Sequence, residues 1–272
     1  LDQVVSMADA ASVVVPSSLH AEAAVPLLEA GVHCLIEKPF VTTEADGVAV
    51  LDAAASSGAR VLVGHIERFN PAVRQLREIL AGEHDILAVD ARRMSAVSAR
   101  ITDVDVVTDL MVHDLDIIVD LIDRPVVDLT ARAVHRSGTA GDDYVSALLT
   151  FEGGAIASLT ASRITQNRVR ELQVTTDSRF FALDYANQDL FIYRQGHLGA
   201  LGAEMDAGQY VLDVGTEQVL LRRTEPLVAE LSHFVDVARG VAEPIVTAAH
   251  GLEMMRLVWQ IHAAVRKGEV GD

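Results

Sequence analysis

The sequence VHCLIEKPF (residues 32–40) combines a short apolar run with an abrupt charged end. The run at residues 32–36 has the length and composition of a β-strand that is buried on both faces. It stops at an acidic and a basic residue, Glu37 and Lys38, and Pro39 prevents the strand from continuing. An opposite-charge pair at such a place can belong to a solvated turn or to a binding site, and the neighbouring sequence decides between these.

Apolar runs before and after this one also predict strands, and the first of them is expected to be buried on both faces. ASVVVP (residues 11–16) precedes it and RVLVGHI (residues 60–66) follows it, and a helical pattern with capping residues separates the strands. The order strand–helix–strand–helix–strand, with short links, predicts a doubly wound α/β fold with a parallel sheet. Ligands bind beyond the carboxyl ends of the strands in such a sheet, so we expect Lys38 at a binding crevice.

The rest of the chain has a different pattern. A helix at residues 70–83 and a strand at residues 86–96 lead to a mostly apolar helix at residues 103–123, and β segments then follow one another over residues 126–223. Two helices close the sequence. Successive strands without intervening helices predict an α+β domain with a large, mainly antiparallel sheet.

Composition excludes several classes of protein. The 272 residues carry a net charge of −17, which is the wrong sign for an unassisted nucleic-acid binder, so we expect no nucleic-acid partner. No apolar run is long enough to span a bilayer, and no signal-peptide pattern is present. We therefore expect no membrane association and a cytoplasmic location. The single cysteine, Cys34, cannot form an intramolecular disulfide.

Four motifs stand at the predicted strand ends and in the apolar helix: VVVPSSLHAEAA at 13–24, EKP at 37–39, GHIERFNP at 64–71 and TDLMVHDLDII at 108–118. In this order they resemble the Gfo/Idh/MocA family of NAD(P)-dependent sugar and cyclitol oxidoreductases, over nearly the whole chain. The last two motifs are most similar to those of members that oxidise UDP-N-acetylglucosamine at position 3 of the sugar, for lipid A or other surface glycans. The resemblance implies hydride transfer between a secondary alcohol of a sugar or nucleotide sugar and NAD, with NADP not excluded.

One feature of the family pattern is absent. Family members begin with a strand and a Gly-rich phosphate-binding loop, but GxGxxG occurs nowhere in this sequence. The sequence starts just before the family's fourth strand, and we expect that it lacks roughly the first 60 residues of the pattern. The resemblance then implies a partial Rossmann-type dinucleotide-binding domain at residues 1–68. An α+β domain for substrate binding and oligomerisation would follow at residues 69–272, and we expect a homo-oligomer.

The resemblance implies catalytic and substrate-binding roles for three residues. Lys38 would lie near the nicotinamide and polarise the reacting oxygen. Asp109 and His113 are four residues apart on a predicted helix and can touch, so the carboxylate would raise the basicity of the imidazole that takes the hydroxyl proton. The alternatives are an exposed strand-end lysine and a surface acid–histidine pair. Asp114 and Asp116 add carboxylates there, but no second histidine has ligand spacing, and we expect no metal.

Seven residues at the three strand ends are implied to bind the cofactor. They are Pro16, Ser17, His20, Glu37, Lys38, Arg68 and Asn70. Several of them also have a structural alternative: Ser17 can be a helix cap, His20 a structural histidine and Glu37 an ion-pair partner. For Arg68 and Asn70 the alternative is a boundary turn with a solvated arginine.

Arginines of the second part are candidates for a substrate diphosphate, because the chain is acidic overall. The candidates are Arg93, Arg100, Arg163, Arg168 and Arg170. We favour Arg100 and Arg163 as substrate-binding residues, and the alternative for each candidate is a solvated strand position. Six further histidines have no paired spacing and are interpreted as structural or surface residues; they are His65, His135, His197, His233, His250 and His262.

Two other functions remain open on the sequence alone. The first is a different enzyme of the same family that acts on inositol or on another sugar or cyclitol. The second is a non-catalytic protein, either a binding subunit or a truncated member without cofactor affinity, which the absent Gly-rich loop motivates.

Overall fold

The computed structural model describes residues 2–81, 85–96, 105–136, 141–195 and 214–269, and the predicted α/β fold is present in them. The chain first builds a parallel sheet in the order β1-β2-β3. Its elements are α1 (Asp2–Val5), β1 (Ala10–Val13), α2 (His20–Glu29), β2 (His33–Glu37), α3 (Glu44–Ser57) and β3 (Val61–Gly64). Helices α2 and α3 connect the parallel strands, as the sequence predicts.

Strand β2 is the centre of this sheet because its sequence is apolar on both faces. Cys34, Leu35 and Ile36 are buried, and the strand pairs with β1 on one side and with β3 on the other. The sequence predicts that β1 is also buried on both faces, and this prediction is wrong. Within β1 only Val13 is buried, and Val14 just beyond it is 71% exposed. In the described residues β1 pairs only with β2, so it has the partial burial of an edge strand.

The second sheet has eight strands in the order β11-β10-β9-β8-β4-β7-β6-β5. Helix α4 (Pro71–Leu80) precedes it. Its strands are β4 (Ile86–Met94), β5 (Val126–Val134), β6 (Tyr144–Phe151), β7 (Ile156–Ser162), β8 (Val169–Thr176), β9 (Arg179–Asp184), β10 (Asp189–Gln195) and β11 (Val214–Gln218). Only β4 and β7 run parallel to each other, so the predicted mainly antiparallel sheet is confirmed.

The helix predicted at residues 103–123 has two parts. A π-helical segment, Val107–Met111, leads into α5 (Val112–Ile122), and the first two predicted residues lie outside the described chain. Asp105 caps the segment, because its Oδ1 accepts a hydrogen bond of 2.8 Å from Val107 N. A π-helix has a wider turn than an α-helix, so residues four apart no longer lie one above the other.

Two C-terminal helices return to the first sheet. Helix α6 (Pro226–Ala238) packs on β3, and α7 (Ala248–Glu269) contacts β5, β3 and α3. Between these helices, Val246 O accepts a hydrogen bond of 3.0 Å from Val63 N of β3. The two sheets consequently share one hydrophobic core. Within the ranges that the structure describes, no helix is both long enough and apolar enough to cross a membrane.

Candidate active site

A cavity of about 310 Å³ lies beyond the carboxyl ends of β1 and β2, where the doubly wound pattern predicts a binding crevice. The π-helical segment forms its other side. The cavity is lined by Val14, Val15, Pro16, Ser17, His20, Glu37, Lys38, Pro39, Thr108 and Asp109. Five of the seven residues that are predicted to bind the cofactor therefore line one cavity, together with Asp109.

Lys38 is held at this cavity by two hydrogen bonds from its ammonium group. Nζ donates to Asp109 Oδ1 at 2.9 Å and to the main-chain oxygen of Asp109 at 2.8 Å. The two side chains are 20% and 19% exposed, so the pair is accessible from the cavity without being freely solvated. The peptide bond between Lys38 and Pro39 is cis. The alternative of an unpaired, exposed strand-end lysine does not apply.

Asp109 does not contact His113 in the way that α-helical spacing predicts. Its carboxylate accepts from Lys38, and no hydrogen bond among the described residues joins it to His113. The π-helical segment is the reason, because it contains Asp109 and ends at Met111, so the two side chains are separated by a turn wider than that of an α-helix. Asp109 is a partner of Lys38, and the predicted contact with the imidazole is not made in the described part of the chain.

His113 lies at the start of α5 and is close to several cations. Its Nδ1 is buried, and in the described part of the chain it has no hydrogen-bond partner. Burial lowers the pKa of His113 well below its ordinary value, and the positive charges of Lys38 and Arg93 lower it further. From the sequence we expect a raised pKa for His113, because α-helical spacing would place the Asp109 carboxylate in contact with the ring. The imidazole is therefore neutral at neutral pH and able to accept a proton.

Glu37 lies over the end of β3 because the residue opposite it is a glycine. Glu37 and Gly64 are register partners, and a Cβ atom on Gly64 would lie only 3.1 Å from Glu37 Oε2. The same oxygen accepts a hydrogen bond of 3.3 Å from Lys38 N. The glycine thus leaves room for the carboxylate on the cavity wall, beside Lys38.

His20 connects the ends of β1 and β2. Its ring is 1% exposed, with Nδ1 at 3.0 Å from Pro39 O and Nε2 at 3.0 Å from Val15 O. Carbonyl oxygens only accept, so whichever ring nitrogen carries a proton donates to one of them. These contacts agree with the structural alternative for His20, although the ring also lines the cavity. Ser17 lies in a 3₁₀ turn, and its side chain caps neither this turn nor α2.

Arg68 and Asn70, the other two predicted cofactor residues, are buried away from the cavity. Arg68 Nε and Nη2 donate to the two carboxylate oxygens of Asp116 at 2.6 and 3.0 Å, and Nη1 pairs with Asp120. Asn70 Oδ1 caps α4 by accepting from Ala72 N at 3.1 Å, and its Nδ2 donates to a main-chain oxygen at 3.0 Å. The alternative of a solvated arginine is wrong, because Arg68 is only 7% exposed.

A second buried ion-pair network is not apparent from the motifs. Arg93 of β4 donates to both carboxylate oxygens of Asp114 at 2.8 and 2.9 Å and to Glu67 Oε1 at 2.9 Å. Its guanidinium lies 4.9 Å from the centre of the Tyr185 ring. Asp114 and Asp116 are thus each paired with an arginine. Among the residues placed in the structure, no group of three or more His, Cys, Asp or Glu side chains could hold a metal ion.

A signal for this network does exist in the sequence of β4. Val89 and Ala91 are buried and alternate with the exposed residues Asp90 and Arg92, so the two-residue period of a strand places Arg93 on the buried face. A charged side chain at a buried position requires a buried partner of opposite charge. The alternation therefore predicts that a carboxylate pairs with Arg93 on the buried face of the sheet, although it does not identify which residue carries it.

The arginines predicted to bind a diphosphate have different environments. Arg163 is 8% exposed, and its Nε donates to Asp143 Oδ1 at 2.7 Å. Arg100 lies outside the described residues. Arg168 and Arg170 lie before and within β8, where Arg168 is exposed and Arg170 is half-buried. The substrate-binding roles of Arg100 and Arg163 stay predictions.

Two family models match the chain. The one described as oxidoreductase family, NAD-binding Rossmann fold, matches residues 1–65, and the GFO/IDH/MocA C-terminal domain matches residues 90–179. The UDP-N-acetylglucosamine 3-dehydrogenase of Acidithiobacillus ferrooxidans is 31% identical over 265 residues, which are 97% of this chain and 81% of that protein. A solved structure of that enzyme has a TM-score of 0.87 to this chain, at 31% identity and the same coverage. An inositol 2-dehydrogenase of Acidothermus cellulolyticus is 34% identical over 119 residues, 42% of this chain and 35% of that protein.

Proposed function

The chain belongs to the Gfo/Idh/MocA family of NAD-binding oxidoreductases, and we propose that it oxidises the 3-hydroxyl group of UDP-N-acetylglucosamine to a ketone. Membership in this family makes it a dehydrogenase that acts on an alcohol carbon with NAD as its cofactor. The choice of a UDP-sugar is supported by the relative with that activity, which matches 97% of the chain. The relative that acts on inositol matches 42%.

The cavity beyond β1 and β2 has the chemistry expected at the nicotinamide end of a cofactor site. It lies at the carboxyl ends of parallel strands, which is where dinucleotides bind in this type of sheet. Ser17 and Glu37 can form hydrogen bonds with ribose hydroxyl groups, and Pro16 provides a rigid apolar wall. When bound there, NAD supplies the acceptor for the hydride.

Lys38 would place a positive charge at the reacting oxygen. An ammonium group has three donors, and two of those of Lys38 are used by Asp109, so one is left for the substrate hydroxyl group. A hydrogen bond from this cation stabilises the negative charge that develops on the oxygen as the carbon–hydrogen bond breaks. Asp109 would act as the residue that fixes the direction of the ammonium group.

His113 would take the proton. Oxidation of the alcohol removes a hydride from carbon and a proton from oxygen and leaves a carbon–oxygen double bond, so a base must accept that proton. The neutral imidazole can do this, and the buried Nδ1 has no competing partner among the described residues. The observation that carries the proposal is this arrangement: the Lys38–Asp109 pair at the cavity, with a neutral histidine at the start of the helix that follows Asp109.

The proposal includes a homo-oligomer. Leu148 of β6 and Ile156 of β7 lie on the face of the second sheet that faces solvent, and they are 48% and 45% exposed. Exposed apolar side chains on a sheet face favour pairing with a second copy. Light scattering after size-exclusion chromatography tests this part, and a monomer at every concentration would contradict it.

The test of the function combines cofactor binding with a panel of substrates. The purified chain is titrated with NADH by fluorescence and then assayed for NAD reduction with UDP-N-acetylglucosamine, free N-acetylglucosamine and inositol. We expect saturable NADH binding and turnover of the UDP-sugar. Lys38→Met should abolish turnover, while Lys267→Met, at an exposed position on α7, should retain it. Turnover of inositol alone would assign the other substrate, and full activity in Lys38→Met would contradict the mechanism.

A further inference from the structure

Arg170 points toward the helices that cover the second sheet. It is the register partner of Arg93 across the antiparallel pair of β8 and β4, and residues directly opposite each other in such a pair project from the same face. Arg93 lies on the buried face, so Arg170 extends from that face as well. Its neighbour Glu171 points to the other face and pairs there with Arg92 at 2.8 Å.

The carboxylates near Arg170 are already bound by Arg93. Asp114 gives both oxygens to Arg93, and Glu67 gives Oε1. The side chain of Arg170 forms no hydrogen bond and no ion pair with any residue in the described ranges. Burial lowers the pKa of Arg170, the positive charges of Arg93 and Arg168 lower it further, and the negative charges of Glu67 and Asp114 offset only part of this lowering. A half-buried cation in this environment has an unfavourable desolvation free energy unless it binds an anion.

We propose that Arg170 binds the diphosphate of a nucleotide-sugar substrate, with Arg168 at the exposed edge of the same subsite. This inference rests on the proposed function, because it names the part of the substrate that the second sheet would hold. A guanidinium presents parallel donors to phosphate oxygens, and such charge-assisted bonds are strong in a partly buried site. In a chain with a net charge of −17, an anionic substrate needs a local excess of positive charge of this kind.

Arg170 also connects substrate binding with the base. The pKa of His113 is lowered first by burial, then by Lys38, Arg93 and His65, and then by the positive charge of Arg170. A diphosphate bound to Arg170 would offset that charge, so the imidazole would be a stronger base in the substrate complex than in the free enzyme. The correct anion would in this way prepare His113 to accept the hydroxyl proton.

Binding of UDP tests the subsite without any chemistry. Calorimetric titration of the full chain with UDP is compared for the wild type, Arg170→Ala, Arg170→Lys and Arg92→Ala. Arg92 is a matched control, because it lies on the same pair of strands but on the exposed face. We expect Arg170→Ala to weaken UDP binding about 10- to 100-fold, Arg170→Lys to weaken it less, and Arg92→Ala to leave it unchanged. The affinity for NADH should be the same in all four proteins, and Arg170→Ala should not melt at a lower temperature.

Two results would overturn the inference: a wild type that binds no UDP, and a folded Arg170→Ala variant that binds UDP as tightly as the wild type. If Arg170→Ala does not fold, Arg170→Lys decides, because it keeps the charge and loses the planar fork; an unchanged affinity would then reject the subsite. Assays with UDP-N-acetylglucosamine separate the two proposals. Turnover that is independent of Arg170 would support the proposed function and reject the subsite. UDP binding that depends on Arg170, without any turnover, would support the subsite and reject the proposed function.

Discussion

Lys38 and Asp109 are 71 residues apart in the sequence and are joined by two hydrogen bonds in the fold. The lysine follows a strand of the first sheet, and the aspartate belongs to the π-helical segment that leads into α5. This contact fixes the ammonium group between the end of the first sheet and the π-helical segment, where the cavity lies. The carboxylate and the main-chain oxygen of one residue both accept from Nζ, so the direction of the third donor is set by the π-helical segment.

Asp109→Asn should reduce kcat with little change in the affinity for NADH. The amide removes the negative charge that holds Nζ of Lys38, and a displacement of about 1 Å at a positioned group costs about 100-fold in rate. Steady-state kinetics with the UDP-sugar and an NADH titration measure the two quantities. Asp52→Asn, at an exposed position on α3, is the matched control and should leave kcat unchanged. Equal kcat values in the two variants would remove Asp109 from the site.

The pH dependence of kcat/KM should report a histidine that is difficult to protonate. Burial, and then the charge of Lys38, lowers the pKa of His113 well below 6.5, so the ring stays a neutral base as the pH falls through neutrality. We expect oxidation to be constant near neutral pH and to decline on the acid side only below pH 6.5. His113→Asn should lower kcat about 10²- to 10⁴-fold. An acid limb with its midpoint at or above 6.5 would contradict the lowered pKa of His113.

The strands and the crevice could be predicted from the sequence because they depend on local patterns. The apolar run before Glu37 predicts a buried strand, and the doubly wound order places Lys38 at a crevice. The partner of Lys38 could not be predicted in the same way. A short π-helical segment has no apolar pattern that distinguishes it from one turn of α-helix. The sequence therefore predicts, from α-helical spacing, that the side chains of Asp109 and His113 are in contact.

Buried ion pairs are the other feature that local patterns miss. Arginine is usually exposed, so from the sequence alone Arg68 is expected either to contact a ligand or to be solvated. Its pairing with Asp116 arises because α5 packs on the turn after β3, and the two residues come from motifs that are distant in the sequence. Arg93 could have been assigned to the buried face from the alternation of β4, but its partner Asp114 depends on the same packing.

Arg68 and Arg77 both contact Asp120 but should contribute very differently to stability. Arg68 is buried and also binds Asp116, whereas the side chain of Arg77 is 61% exposed. Arg68→Met leaves a buried carboxylate without its main partner and should lower the free energy of unfolding by about 3–5 kcal/mol. Arg77→Met should cost less than about 1 kcal/mol. Urea unfolding measures both variants, and equal losses would contradict the importance of burial for the Arg68–Asp116 pair.

Asp105 connects the π-helical segment to α7. Its Oδ1 accepts from Val107 N at 2.8 Å and lies 3.0 Å from His262 Nε2. Burial opposes the charged form, but the bond with His262 and the backbone amides lower the pKa of Asp105 from 3.8 to about 2. A lowered pKa in the folded state adds stability above pH 3.8, and this stability is lost as the pH falls toward 2.

Asp105→Asn should therefore cost about 0.5–2 kcal/mol at neutral pH, the range for the loss of a helix cap. The difference from the wild type should shrink as the pH falls from 3.8 to about 2, because protonation removes the same charge in the wild type. Thermal unfolding at a series of pH values measures this. Asp128→Asn, at an exposed position on β5, is the control and should show no comparable pH dependence. A constant loss over the acid range would contradict the ionised cap.

Glu230 of α6 is a buried carboxyl group at the side of the helix that packs on the first sheet. It is 0% exposed, and within the described ranges neither Oε1 nor Oε2 has a hydrogen-bond partner. Burial, and then the negative charge of Glu37, raises the pKa of Glu230 from 4.5 to about 8. A raised pKa in the folded state contributes its stability in full below pH 4.5 and loses it as the pH rises through about 8. The wild type should become less stable over this range.

Glu230→Met keeps the length of the side chain and removes the ionisable group. We expect its free energy of unfolding at pH 8 to exceed that of the wild type by about 1–3 kcal/mol, the cost of an unsatisfied buried polar group. The two curves should converge toward pH 4.5, where the wild-type carboxyl group is protonated in the folded state. Glu29→Met, at an exposed position on α2, is the control without such convergence. Parallel curves for Glu230→Met and the wild type would mean that the carboxyl group finds water or a partner, and α6 would then pack less tightly on β3 than the structure shows.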